Sequence, residues 1–128
     1  MLSDLRSPHT HYLVAATEAG DIEGYAGLFA PQGAQEGDIQ TIAVAEHARG
    51  GGLGRALMNT LIAEARNRGS REVFLEVRAD NPGARHLYES LGFVAIATRP
   101  HYYQPDDVDA VVMRLVVPDP QLRPAVGA

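Results

Sequence analysis

Residues 49–55 read Arg-Gly-Gly-Gly-Leu-Gly-Arg, and an apolar pattern of helical spacing begins directly behind them. Four glycines among seven residues leave a row of backbone N–H groups without side-chain cover at a predicted helix start. Unpaired amides and the positive end of the helix dipole then face the same place, which favours an anion. Because arginines flank the run, we predict a phosphate-binding loop. A flexible glycine-rich loop before a helix is the alternative.

The spacing of the glycines excludes two common phosphate loops. A Walker A loop requires Lys and then Ser or Thr after its last glycine, but Gly54 is followed by Arg-Ala. A dinucleotide fingerprint beginning at Gly50 requires glycine at position 55, which is arginine. The spacing that remains is Arg-x-x-Gly-x-Gly, formed by Arg49, Gly52 and Gly54.

Length and composition predict one ordinary globular domain. The chain has 128 residues, of which 45% are hydrophobic and 21% charged. It has no cysteine, which excludes disulfides and thiolate nucleophiles and is compatible with the reducing cytoplasm. A net charge of −5 argues against nucleic-acid binding. We find no signal-peptide pattern, no apolar run of membrane-spanning length and no metal-ligand spacing of histidines, so we expect a cytoplasmic, membrane-free protein without a metal.

The pattern along the chain predicts the element order β-β-β-α-β-α-β-β. Residues 1–8 are interpreted as the end of a helix that stops at Ser7-Pro8. One helix follows the glycine loop and another begins at Asn81-Pro82, because Asn is favoured as N-cap and Pro at the first helical position. The order indicates an α/β (α+β) fold with helices against a mixed sheet. The predicted strands are 11–17, 22–30, 38–44, 72–77, 93–99 and 110–117, and the domain 1–117 is followed by a flexible tail, 118–128.

A second motif lies in residues 75–93, Leu-Glu-Val-Arg-Ala-Asp-Asn-Pro-Gly-Ala-Arg-His-Leu-Tyr-Glu-Ser-Leu-Gly-Phe. It is similar to the signature L-E-V-R-x-x-N-x-x-A-x-x-L-Y-x-x-x-G-F of one branch of the GNAT superfamily of N-acetyltransferases. The glycine loop resembles the pyrophosphate loop of the same superfamily. The branch is the RimI group, which acetylates the N-terminal alanine of a small-subunit ribosomal protein. The resemblance covers residues 9–117 and implies the GNAT fold with acetyl-coenzyme A as cosubstrate.

The resemblance implies two catalytic residues. Glu76 matches the general base, which is needed because an ammonium cannot attack a thioester until it loses a proton. Tyr88 matches the general acid that protonates the departing coenzyme A thiolate. From the residues alone, the favoured interpretation of Glu76 is a solvated carboxylate on the polar face of a strand, and that of Tyr88 is a core aromatic. Both alternatives stay open at this point.

The resemblance also implies a set of cofactor-binding residues. The family's strand backbone pairs with the pantetheine arm, and its glycine loop contacts the phosphates. From the residues alone, Asn81 can serve purely as a helix cap, and the guanidinium of Arg49 can be a solvated loop charge. The positions that match are Ile42, Ala43, Val44, Arg49, Gly50, Gly51, Gly52, Leu53, Gly54, Arg55 and Asn81.

In RimI-like enzymes the stretch between the last two strands borders the acceptor peptide. Here it contains Tyr102-Tyr103 and three aspartates within residues 106–109. These aspartates either attract a cationic N-terminus or form a polar surface hairpin. RimI-like chains usually begin with a strand and a helix before the segment matching Leu2–Pro8, so we expect this chain to lack both, through a late start codon or a trimmed domain.

The implied reaction is direct acetyl transfer in a ternary complex to the N-terminal amine of an acceptor protein such as a ribosomal protein. Without cysteine, an acetyl-cysteine intermediate is excluded. The alternatives are a GNAT enzyme for a small-molecule amine or lysine, and a truncated coenzyme A-binding module with little activity.

Overall fold

The computed structural model describes residues 1–117, which form one seven-stranded mixed sheet and two α-helices. The sheet order is β1-β2-β3-β4-β5-β7-β6. The predicted α/β class with a mixed sheet is confirmed. The elements are β1 Leu2–Arg6, β2 Thr10–Ala16, β3 Ile22–Phe29, β4 Glu36–Val44, α1 Leu53–Asn67, β5 Glu72–Arg78, α2 Pro82–Ser90, β6 Val94–Tyr103 and β7 Val108–Val116.

One strand pair interrupts an otherwise antiparallel sheet. β4 and β5 are parallel because the chain runs back along α1 between them, so both strands begin at the same edge of the sheet. Their register covers Glu36 with Glu72, Gly37 with Val73 and Asp38 with Phe74. Beyond Asp38 the two strands separate, and no other strand of the described chain pairs with β4 on that side. The sheet therefore opens at its centre, and this opening positions the candidate site.

The hydrophobic core lies between α1 and the sheet. Helix α1 packs on β2, β3 and β4 through an apolar stripe of helical period. Its fully buried residues are Leu57, Met58, Leu61 and Ala65, which meet Leu13, Leu28 and Val73 of the strands. Neither helix within residues 1–117 is long and apolar enough to cross a membrane.

The C-terminal end of α1 is fastened to the sheet by a buried arginine. The guanidinium of Arg68 contacts Glu64 Oε2 at 2.8 Å and donates to the backbone oxygens of Thr10 at 3.0 Å and Ala30 at 3.3 Å. His11 is buried beside the same carboxylate, with Nδ1 3.7 Å from Glu64 Oε1. This cluster joins β2, the end of β3 and α1.

The predicted helix end in residues 1–8 is wrong. These residues contain β1, which pairs with β2 from Leu2 opposite Ala15 to Arg6 opposite His11. A tight turn joins the strands, with the Ser7 N–H donating to the Thr10 oxygen at 2.9 Å. A five-residue segment is too short for its periodicity to distinguish a helix from a strand. The segment forms a strand because it pairs with the free edge of β2.

The other predicted elements agree with the structure apart from their ends. β4 begins two residues earlier than predicted, at Glu36, and β6 runs on to Tyr103 instead of stopping at residue 99. Both helices lie where the glycine loop and the Asn-Pro pair indicate. The predicted flexible tail, residues 118–128, lies outside the described residues, and the domain boundary at residue 117 stays a prediction.

Candidate active site

The predicted cofactor residues surround one cavity of about 780 Å³. It lies between the end of β4, the glycine loop and α2, and it falls within the usual size range of small-molecule sites. All the predicted cofactor residues except Gly51 line it, and the predicted acid Tyr88 lines it as well.

The backbone conformation of the glycine loop explains why two of its positions are glycine. Gly50 has φ +84° and Gly52 has φ +85°, in the left-handed region that other residues avoid. Gly52 is the N-cap of α1, and no side chain caps the first turn. The positive end of the helix dipole therefore faces the cavity without a competing side-chain oxygen, as an anion site requires.

The two arginines of the loop are held by protein oxygens. Arg49 Nε donates to the backbone oxygen of Val44 at 3.1 Å, and Arg55 Nη2 donates to Ser90 Oγ at 2.8 Å. Arg49 is thus fastened to the end of β4, which argues against a freely solvated loop charge. Both side chains place positive charge at the wall of the cavity.

Asn81 acts as the predicted N-cap of α2. Its Oδ1 accepts a hydrogen bond from the Ala84 N–H at 3.1 Å, and Pro82 follows as the first helical residue. Because Asn81 also lines the cavity, its capping role and its predicted contact with the cofactor are compatible.

A second cavity, of about 630 Å³, opens where β4 and β5 separate. Glu76, the predicted base, lines it together with Tyr102 and Tyr103 of β6. The cavity also contains two carboxylates that sequence reasoning missed, Glu36 and Asp38 of β4. Burial raises the pKa of Asp38, and the charges of Glu36 and Glu76 raise it further. We call this space the acceptor-side cavity.

Tyr88 lines the first cavity, and Tyr103 lines the acceptor-side cavity. Tyr88 is 6% exposed and lines the first cavity, with its ring 6.2 Å from that of Phe93 in an edge-to-face arrangement. Burial raises the pKa of Tyr88, and Tyr103 adds to this effect. Burial also raises the pKa of Tyr103, with a further contribution from the charge of Glu76. Charge effects on pKa thus link Glu76 with Tyr103, and Tyr103 with Tyr88.

The three aspartates of the β6–β7 turn do not line the acceptor-side cavity. Asp106 Oδ2 lies 2.9 Å from Arg78 Nη2, and Asp107 Oδ1 lies 2.8 Å from His101 Nδ1. Asp109 Oδ1 accepts from the His101 backbone N–H at 2.9 Å. They build the turn, and the acidic residues of the cavity come from β4 and β5. No group of three or more metal-ligating side chains occurs within residues 1–117.

Comparison with known proteins gives consistent matches. The family model "Acetyltransferase (GNAT) family" matches residues 1–93. The N-alpha-acetyltransferase RimI of Mycobacterium tuberculosis is 40% identical over 119 residues, which cover 91% of this chain and 73% of that protein. The [ribosomal protein bS18]-alanine N-acetyltransferase of Escherichia coli K12 is 44% identical over 84 residues, 64% of this chain and 57% of that protein. This chain thus spans little more than half the length of the latter.

Among solved structures, nourseothricin acetyltransferase superposes with a TM-score of 0.79 at 31% identity. The match covers 87% of this chain and 67% of the other.

Proposed function

The chain belongs to the acetyltransferase (GNAT) family, and we propose that it transfers the acetyl group of acetyl-coenzyme A to the N-terminal α-amine of an acceptor protein. The enzyme class, an acetyl-coenzyme A-dependent N-acetyltransferase, follows from the family. The relatives named for N-alpha and ribosomal-alanine acetylation support the choice of acceptor.

The observation that carries the proposal is that the predicted acid and the predicted base line two different cavities and are linked electrostatically through Tyr103. Tyr88 lines the cofactor side and Glu76 the acceptor side, and Tyr103 interacts with both. A thioester reaching past Tyr88 and an amine approaching Glu76 would meet between them. This is the arrangement that a direct transfer requires.

The separation of β4 from β5 supports the proposal that the pantetheine arm lies along β4. From Ile39 to Val44, the backbone of β4 facing β5 has no partner strand within the described residues. An extended amide-containing chain can complete the sheet at such a place. It would run along Ile42, Ala43 and Val44, with its pyrophosphate at the start of α1 and its thioester between the strands.

The proposed chemistry needs one base and one acid. Glu76 takes a proton from the acceptor ammonium through water, and the free amine attacks the thioester carbonyl carbon. The C–N bond forms, and the C–S bond breaks as the leaving thiolate takes the phenolic proton of Tyr88. The new amide nitrogen releases its extra proton, which returns to the Tyr88 phenolate through water, and the proton held by Glu76 leaves to the solvent. An α-amine, with a pKa of about 7.7–8.0, loses its proton more readily than a lysine at about 10.4. A single carboxylate working through water therefore suits an N-terminal amine.

The acidity of the acceptor-side cavity fits a cationic substrate. Glu36, Asp38 and Glu76 line it, with Arg99 as the cation on its wall. An ammonium entering this space gains favourable interaction with the carboxylates before it loses its proton. A peptide with a free N-terminus satisfies this condition, and an N-terminal alanine is the acceptor that the relatives' names indicate.

A small-molecule amine is the second candidate acceptor. It is favoured by the likeness to nourseothricin acetyltransferase. A lysine acceptor, or a module that binds coenzyme A and catalyses little, are the remaining alternatives.

The deciding experiment measures thiol release from acetyl-coenzyme A with three acceptors. They are a peptide that begins with alanine, the same peptide with a blocked N-terminus and one internal lysine, and nourseothricin. We expect kcat/KM for the first peptide to exceed the other two by about 10-fold or more. A preference for the blocked peptide or for nourseothricin would reassign the acceptor, and no release with any of them would favour the binding module.

A further inference from the structure

Arg99 of β6 reaches across β7 to the carboxylate of Glu76 on β5. Its Nε lies 2.9 Å from Glu76 Oε2. Val112 of β7 lies opposite Glu76 in the strand register and also lines the acceptor-side cavity. The ion pair thus lies along one wall of the cavity in which the proposed base works.

This ion pair places a positive charge beside a buried carboxylate oxygen that lacks hydrogen bonds within residues 1–117. Glu76 Oε2 is buried and has no partner in hydrogen-bond geometry among the described residues, and the contact with Arg99 is close without being well aligned. A buried carboxylate oxygen without a compensating charge or donor destabilises the folded state. Without the guanidinium, the carboxylate would be expected to rotate toward water.

The rest of the Glu76 side chain remains accessible. The side chain is 29% exposed although Oε2 is buried, so the exposure belongs to its other atoms. With Oε2 fixed, Oε1 is the oxygen that can meet a water molecule or an amine. We propose that Arg99 is a positioning residue that fixes Glu76 Oε2 and thereby directs Oε1 toward the acceptor amine. The inference rests on the proposed function, in which Glu76 is the base.

The surrounding charges strengthen the need for Arg99. Glu36 and Asp38 line the same cavity, and the charge of Glu76 is one of the causes that raise the pKa of Asp38. Arg99 is the only cationic side chain among the described residues that line this cavity. Its removal would leave three carboxylates facing one another, which would push Glu76 away from its present orientation.

Arg99 itself has a second contact that limits its movement. Its Cζ lies 5.6 Å from the centre of the Tyr102 ring, in a cation–π arrangement. The arginine side chain is 60% exposed, and an exposed long side chain without such a support would sample many rotamers. The ring therefore helps to hold the guanidinium beside Oε2.

The test compares kcat and KM in Arg99→Gln, Arg99→Lys and wild type, with acetyl-coenzyme A and the alanine peptide. We expect Arg99→Gln to lower kcat by about 10-fold or more through misorientation of the base, with both KM values within about 3-fold of wild type. Arg99→Lys should recover part of the loss because it keeps the charge but loses the planar group.

A matched control separates positioning from cross-strand stabilisation. Arg114 Nε of β7 lies 3.3 Å from Glu72 Oε2 of β5, and neither residue lines the acceptor-side cavity. Arg114→Gln also breaks an ion pair between strands of the same sheet. It should leave kcat near that of wild type, whereas a kcat loss equal to that of Arg99→Gln would overturn the positioning role.

A double-mutant cycle decides whether Arg99 acts through Glu76. In a Glu76→Gln background, adding Arg99→Gln should change the residual kcat by less than about 2-fold. An undiminished second effect would overturn the inference. A lowered acceptor KM at unchanged kcat in Arg99→Gln would also overturn it, because Arg99 would then be a competitor of the amine.

If Glu76→Gln alone keeps full turnover, the proposed role of Glu76 fails as well. If only the Arg99 variants are unimpaired, the proposed function stands and the inference alone fails.

Discussion

Gly54 of α1 lies against Leu87 of α2 so closely that a Cβ at position 54 would come within 3.3 Å of Leu87 Cδ2. A Cβ there would also lie 3.7 Å from Val44 Cγ2. This glycine therefore allows α1, α2 and the end of β4 to converge at the cofactor cavity. Gly52 is needed for another reason, because its φ is +85° and a Cβ there would meet no atom within 4 Å.

The first prediction concerns Gly52→Ala. We expect about 1–2 kcal/mol of backbone strain and, because the N-cap of the proposed phosphate site is reshaped, a loss of acetyl-coenzyme A affinity of about 10-fold or more. Calorimetry measures the affinity and urea unfolding the stability. Gly20→Ala is the matched control, since its φ is +92° and its Cβ also meets no atom within 4 Å. An equal loss of affinity in both variants would refute the phosphate role of the loop.

The second prediction separates the proposed base from cofactor binding. Glu76→Gln should lower kcat by about 10²-fold, while the affinity for acetyl-coenzyme A stays within about 2-fold, because Glu76 lines the acceptor-side cavity. Glu72→Gln, on the same strand but outside that cavity, is the control. Steady-state kinetics at saturating cofactor measure the effect. Near-normal turnover in Glu76→Gln would mean that the carboxylate serves only the ion pair with Arg99.

Local signals made the cofactor side of the site predictable from sequence. The glycine run, the helix start at Asn81-Pro82 and the apolar period of α1 each depend on a few neighbouring residues, and the structure bears out the elements that they predict. Alternation over residues 38–44 predicts the strand, whereas the assignment of Ile42, Ala43 and Val44 to the cofactor rests on the family resemblance. These residues come together because one β-α-β crossover brings them to the same end of the sheet.

The acceptor side was less predictable because it depends on distant pairing. Glu36 and Asp38 come close to Glu76 only because β4 pairs with β5, and no local pattern marks that pairing. From the sequence, the aspartates of the β6–β7 turn are candidates for binding the acceptor. In the structure they instead contact Arg78 and His101. The strand β1 was missed because its pairing partner determines it.

The third prediction concerns stability at low pH. Burial opposes ionisation of Glu64, but the hydrogen bond from Arg68 and the charges of Arg6, Arg68 and His11 outweigh it and lower the pKa of Glu64. A carboxyl with a lowered pKa stabilises the fold in its ionised form, so this contribution is present at neutral pH and is lost as the pH falls below about 5. Glu64→Gln should therefore destabilise the protein at about pH 7 and less so at about pH 3. Urea unfolding at both values tests this, and a constant difference would contradict it.

The fourth prediction compares two ion pairs of equal sequence spacing. Arg68 and Glu64 form a buried pair at 2.8 Å, whereas Arg85 and Glu89 form an exposed pair at 3.8 Å. Arg68→Met should cost about 3–5 kcal/mol of unfolding free energy, since it removes the buried cation beside Glu64 Oε2 and the guanidinium hydrogen bonds to the oxygens of Thr10 and Ala30. Arg85→Met should cost less than about 0.5 kcal/mol. Similar losses in the two variants would show that burial does not distinguish the pairs.

The phenol of Tyr88 combines a packed ring with a polar end at the cofactor cavity. Its ring is buried against Phe93, and burial raises its pKa, so the phenol stays protonated at neutral pH. Packing and proton donation therefore make different demands on the same side chain. Packing requires the ring alone, whereas donation to the departing thiolate requires the hydroxyl.

The fifth and last prediction concerns Tyr88→Phe, which removes one oxygen and keeps the ring. We expect near-wild-type stability and a kcat lower by about 10²–10⁴-fold with little change in KM. Tyr25→Phe, at an exposed position of β3, is the control and should change neither. The defect should shrink with an acyl donor whose thiol is more acidic, because that leaving group needs less protonation. A defect that is indifferent to thiol acidity, or full activity in Tyr88→Phe, would leave Tyr88 with a packing role alone.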